Sequence, residues 1–271
     1  MGTFLFRKKY NSLPAFTIDG RLCGIVLLLL NGNTMKTVLH TAQSRGHANH
    51  GWLDSYHSFS FAHYYNPERM HFGALRVLND DTVAPGMGFG LHPHDNMEII
   101  SIPLAGQLKH KDTTGTEAII KTGDVQIMSA GSGLQHSEMN GSNKEKVKFL
   151  QIWVFPKLQN IQPRYDQKSF DPQERNNSLQ LIVSPDKSER SIWINQDAWF
   201  SMTAPEKGQT IQYNLHRKEN GVYLFLIHGK VSVNGISLQE RDGLEISETD
   251  TFSIETSEDA EVLLMEIPMV A

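Results

Sequence analysis

The sequence predicts an all-β protein: two tandem β-barrels of the jelly-roll type, with few helices. Three observations carry this expectation. Helical periodicity is scarce, and short apolar runs alternate with clusters of Gly, Asp, Asn and Pro, the pattern of a sandwich or barrel. One order of elements occurs twice along the chain, as a duplicated barrel would give. Two short segments carry His-x-His and His-x-Glu pairs, and side chains i and i+2 share a face only in an extended strand.

Taken in order, Met35-Lys36-Thr37-Val38-Leu39-His40 reads as the first strand of the globular body. Residues 1–34, with the single cysteine Cys23, lack a pattern. They are expected to be a natural extension or, better, an upstream stretch translated through a misplaced start. Strand-like runs follow at 72–79, 97–104, 125–128, 147–154, 179–183, 223–227, 231–233 and 262–267. The repeat is visible in the turns. Residues 98–105, Gly106, residues 107–110, a turn at Gly115 and Gly123-Asp124-Val125 correspond to residues 222–228, Gly229, residues 230–233, Asn234-Gly235 and Asp242-Gly243-Leu244. The expected units are therefore a metal-binding barrel at 35–160, a Pro-rich connector at 161–177 and a second barrel at 178–271 without a metal site. In that second half His216 and His228 stand alone, and a lone histidine is usually packed or at the surface.

Of 271 residues, 39% are apolar and 20% charged, with a net charge of −5. That balance argues against a broad electrostatic grip on nucleic acid. Membrane attachment is not expected either, because a span needs about twenty apolar residues and the longest run here is Ile25-Val26-Leu27-Leu28-Leu29-Leu30. The basic residues before that run raise the possibility of a secretory signal. Asp19 and Arg21 interrupt it, however, and no small-x-small cleavage site follows. One cysteine favours a reducing compartment, so a cytoplasmic protein is expected, and separately a monomer. Any metal must then be held by nitrogen and oxygen.

The chemistry concentrates in Gly90-Leu91-His92-Pro93-His94-Asp95-Asn96-Met97-Glu98 and Gly133-Leu134-Gln135-His136-Ser137-Glu138. Neighbouring strands carrying His92 with His94, and His136 with Glu138, would converge three imidazoles and a carboxylate. That donor set suits Fe, Ni, Co, Cu, Zn and Mn. Glu98 has the sequence parity of His92 and His94, which leaves it open as a ligand in place of Glu138.

These residues also carry a resemblance. Gly86, five residues, His92-x-His94, three residues and Glu98 resemble the first cupin motif, and Gly123 to His136 and Asn140 the second. In the second, Ser129 replaces the usual proline and two extra residues precede His136. The departure points further, since residues 128–138, Phe89-Gly90-Leu91-His92-Pro93-His94 and Leu150-Gln151-Ile152-Trp153 resemble pirins. The run Arg45-Gly46-His47-Ala48-Asn49-His50-Gly51-Trp52-Leu53-Asp54-Ser55 is similar to their bacterial quercetinase-like bicupin branch. The resemblance covers about residues 36–271.

The resemblance implies metal ligands at His92, His94, His136 and Glu138, with Glu98 as a supporting or pocket carboxylate and Fe(II) the favoured ion. It implies a quercetin 2,3-dioxygenase that opens a flavonol with O2 and releases carbon monoxide, Glu138 or Glu98 taking the hydroxyl proton. The alternative it allows is a redox-sensing, non-catalytic metal protein read by a protein partner, or an enzyme acting on another chelating enol. His47, His50, His57, His63 and His71 are expected to serve loop structure rather than a lid. His110 is expected to be half-exposed barrel wall. Phe59, Phe61, Phe89, Trp153 and Phe155 are expected to be mostly core, with one or two lining a cavity.

Overall fold

The computed structural model describes residues 28–30, 33–187 and 190–270. Residues 1–27, and Cys23 with them, lie outside the described residues. Two barrels stand side by side. In the first, a seven-stranded sheet runs in the order Arg164–Ser169, Asp124–Ser129, Glu98–Ala105, Val147–Val154, Leu75–Val83, Leu53–His57 and Gly46–Asn49. It faces a four-stranded sheet of Gly88–His94, Leu134–Asn140, Gln107–Asp112 and Glu117–Lys121. The second barrel repeats this with an eight-stranded and a four-stranded sheet. Two 3-10 turns, Ala42–Ser44 and Pro172–Arg175, are the only helical elements among the described residues.

Two details depart from the sequence expectation. Asn33–His40 does not open the first barrel; it pairs antiparallel with Gly243–Ser247 in the second. Met35 accordingly packs into the second barrel's core. Alternation told where a strand was but not which sheet it would join. The 161–177 connector is also partly ordered as a strand, since Arg164–Ser169 adds to the edge of Asp124–Ser129 in the first barrel.

The large sheets of the two barrels pack on each other through one apolar layer. Ile100, Ile102, Leu150 and Ile152 from the first meet Phe200, Tyr223, Phe225 and Met265 from the second. Strand alternation then sends the intervening residues to the interior of the first barrel. Ile99 and Ser101 are on that face, as are Gln151 and Trp153. The rule fixes what the cavity is lined with.

Candidate metal centre

His92 and His94 lie on Gly88–His94 and His136 on Leu134–Asn140, in one four-stranded sheet. His92 pairs directly with His136 in the register. Gly88 makes this pairing close, because a Cβ there would sit 2.3 Å from the Glu138 carbonyl oxygen. One ring nitrogen from each histidine lies within 4.8 Å of the other two, and the ring centroids are 4.5 to 4.9 Å apart.

The orientation of these rings fits a metal. His92 donates from Nδ1 to the Gly90 carbonyl at 2.7 Å, leaving Nε2 as the nitrogen with a free lone pair. His136 is buried, and neither ring nitrogen has a hydrogen-bond partner. A buried polar group without a partner is costly, and the lone pair of one of these nitrogens is suited to a metal ion. Burial, with the neighbouring histidines, lowers His94 to about 4 and His136 to about 2. Both are therefore neutral at physiological pH, the state that binds metal.

Glu138 lines the same cavity as His92 and His94. Its Oε1 accepts from the Ser101 hydroxyl at 3.0 Å, with Gln151 Oε1 2.9 Å from the same hydroxyl. A shift in register between His136 and Glu138 separates the carboxylate from the tight three-histidine group. Burial pushes Glu138 up to about 7; a divalent cation nearby would act in the opposite direction.

Glu98 is not brought to the cluster, which corrects its expected place as a pocket carboxylate. Its strand is in the other sheet, after a turn at which Asn96 takes φ 44°, so parity with His94 does not carry across. Glu98 shares the face of Ile100 and Ile102, and its Oε2 accepts from Ser129 Oγ at 2.8 Å and Asn195 N at 3.2 Å. Asn195 belongs to the second barrel, so Glu98 ties the two halves together. His110 differs as well. It is fully buried rather than half-exposed, its Nε2 paired with Asp112 at 2.9 Å and its ring 5.4 Å from that of His136.

His92 and His94 line a cavity of about 700 Å³, within the range of pockets that enclose a drug-sized molecule. Trp52, Phe61, Phe89 and Trp153 line it, whereas Phe59 belongs to the apolar layer between the barrels and Phe155 packs against it. Four of the five upstream histidines, His47, His50, His57 and His63, face this cavity; only His71 serves the loop, bonding the Gly73 carbonyl at 2.9 Å. The sequence reading missed Ser55, Asn79 and Asp81, which line the cavity beside His57. Their signal was alternation on two adjacent strands, with polar residues at positions that would otherwise be apolar.

No helix among the described residues is long and apolar enough to cross a membrane. Residues 38–154 match the Pirin family and residues 181–267 the quercetinase C-terminal cupin domain. The quercetin 2,3-dioxygenase of Escherichia coli is 43% identical over 86% of this chain and 99% of its own length. A pirin-like protein of Caulobacter vibrioides is 40% identical over 82% of this chain and 95% of its own. The crystal structure of the bacterial pirin YhhW from Escherichia coli in complex with nickel(II) superposes with a TM-score of 0.82. It has 42% identity and covers 86% of this chain and all of that one.

Proposed function

This chain belongs to the pirin family, with a bicupin architecture, and from that premise we propose that it is a metal-dependent dioxygenase of flavonols, opening the heterocycle with O2 and releasing carbon monoxide. The observation that carries the reading is the buried His136, whose ring nitrogens have no partner, grouped with His92 and His94, which line an aromatic-walled cavity. The comparisons support it through the name of the Escherichia coli relative, and the nickel(II) in the YhhW structure supports a divalent ion.

His92, His94 and His136 would hold the ion, with Glu138 completing the set. A divalent transition metal there supplies Lewis acidity toward a chelating hydroxyl–carbonyl pair and a path for electrons to O2. Glu138 Oε1 is fixed by Ser101, which leaves Oε2 to join the ion or, released from it, to take the hydroxyl proton. The aromatic rings hold a flat substrate and keep bulk water from the reacting carbon.

The test is anaerobic reconstitution with Fe(II), then Ni(II), Co(II), Mn(II) and Cu(II), followed by quercetin and O2. Loss of flavonol absorbance with release of carbon monoxide, abolished in His94→Ala, is the expected result. Stable absorbance with every ion would overturn the proposal.

A further inference from the structure

The cavity has a second polar region that the triad chemistry does not use. Along the inner face of the large sheet, the register places His57 opposite Asn79, Asn79 opposite Gln151 and Gln151 opposite Ser101. A row of polar side chains thus crosses four strands of a barrel interior where apolar residues are expected. One end of the row is Ser101, bonded to Glu138 beside the metal site. The other end is His57, three inter-strand steps away, at most about 14 Å between the backbones.

That far end is unsatisfied in a specific way. With Asp81 ionised, Ser55 donates its single proton to Asp81 Oδ1. The 2.8 Å contact between Ser55 Oγ and His57 Nε2 is therefore a bond that His57 donates, which leaves Nδ1 as an acceptor. Burial lowers His57 to about 4, so the ring is neutral and that lone pair is available. His57 Nδ1 has no partner, and neither does Asn79 Oδ1 beside it. Both residues are only 3% exposed and both line the cavity. Two adjacent buried acceptors lacking donors describe the complement of a hydroxylated group.

Between the two ends run aromatic rings in contact. His94 is 4.9 Å from Trp153, Trp153 5.4 Å from Phe61, and Phe61 5.3 Å from His57, measured between centroids. These edges wall a slot suited to a flat molecule whose two ends are polar. Building on the flavonol reading, we propose that His57 Nδ1 and Asn79 Oδ1 form a hydroxyl-binding pole, oriented by Ser55 and Asp81. It would accept hydrogen bonds from phenolic hydroxyls on the ring remote from the metal-chelating oxygens. The site then selects polyhydroxylated aromatic substrates over bare ones with the same chelating pair.

The experiment compares quercetin with 3-hydroxyflavone, which keeps the chelating pair and lacks the remote hydroxyls. Binding to the full chain loaded with Ni(II) is followed by quenching of tryptophan fluorescence, so no turnover is needed. The wild type should bind quercetin at least about ten-fold tighter, because an analogue lacking the hydroxyl leaves buried acceptors unpaired. His57→Phe and Asn79→Leu should bring the two affinities within about three-fold by weakening quercetin alone, the loss of one or two buried hydrogen bonds. Asn79→Leu leaves the His57–Ser55–Asp81 bonds in place and serves if His57→Phe fails to fold. Equal affinities in the wild type, or a preference unchanged in both variants, would overturn the pole while leaving the flavonol reading intact. Binding of neither flavonol would overturn that reading, and the pole with it.

Discussion

The two barrels share one plan and differ in how their interiors are filled. In the second, Ile211, Tyr213, Leu224, Phe252, Ile254 and Leu264 join in one continuous apolar cluster. In the first, the interior cluster is split in two, one part around Val83, Leu108 and Phe149 and the other around Ile99, Met128 and Leu134. The cavity and the polar row occupy what lies between. Their buried glutamates differ in the same sense. Burial pushes Glu266 in the second barrel up, but His216, Arg217 and Asn220 all donate to it and hold it below the ordinary carboxylate range. Tyr213 donates as well, at 2.9 Å. Glu138 in the first barrel has far fewer donors and rises to about 7. A fully bonded buried charge is a fastening, and an under-bonded one remains open to a ligand.

Removing the site from the first barrel should therefore have the largest functional effect and little effect on folding. His136→Ala is expected to reduce metal content from about one equivalent to background, since one of a few ligands is lost, with far-UV circular dichroism unchanged. Metal analysis of the purified variant beside a thermal melt checks both. Global unfolding would instead assign the ion a structural role and erase the contrast between the barrels.

Truncating the filled barrel should do the reverse. Phe252 is 2% exposed within the continuous cluster, so Phe252→Ala should cost about 3–5 kcal/mol without changing metal content. Phe61→Ala, on the wall of an existing cavity, should cost less than Phe252→Ala, because the wall already faces open space. Paired denaturant titrations decide this, and equal losses at the two positions would show the first barrel to be as closely packed as the second.

The first barrel's three-histidine cluster was legible because three constraints coincided: i, i+2 spacing on strands, glycines where the chain turns, and residue types with one shared chemistry. The strands at 147–154 and 231–233 were legible from apolar runs bounded by turns and coincide with Val147–Val154 and Val231–Val233. What escaped depended on partners far apart in sequence. Nothing local assigns Asn33–His40 to Gly243–Ser247, a pairing some two hundred residues distant. His110 read as half-exposed because alternation does not say which face of Gln107–Asp112 is covered; Tyr165, from the supposed connector, lies against it at 4.7 Å. The His57 region failed for a related reason. A Ser-x-His pair on one strand and an Asn-x-Asp pair on the next are unremarkable until the register sets them side by side.

Glu98 offers the finest test of the contrast, because it belongs to the first barrel's sheet but serves the contact between the halves. Burial first of all pushes its carboxyl up to about 7, opposed by bonds from Ser129 and Asn195 and by the charge of Arg164. An acid whose folded-state value is raised takes up its proton more readily when folded. The wild type therefore loses stability as pH rises from about 4.5, near the unfolded value, to about 7, and the loss is constant above that. Glutamine keeps an acceptor for Ser129 and Asn195 and cannot ionise. Glu98→Gln should thus gain on the wild type by about 1–3 kcal/mol across that pH window, whatever constant offset its buried amide adds. Stability titrations at pH 5, 6, 7 and 8 read the slope directly. Since Glu98 faces Asn195 rather than the cavity, metal content and flavonol binding should be unchanged. A flat difference would show Glu98 to be ionised throughout, and a ten-fold loss of metal affinity would place it back at the site.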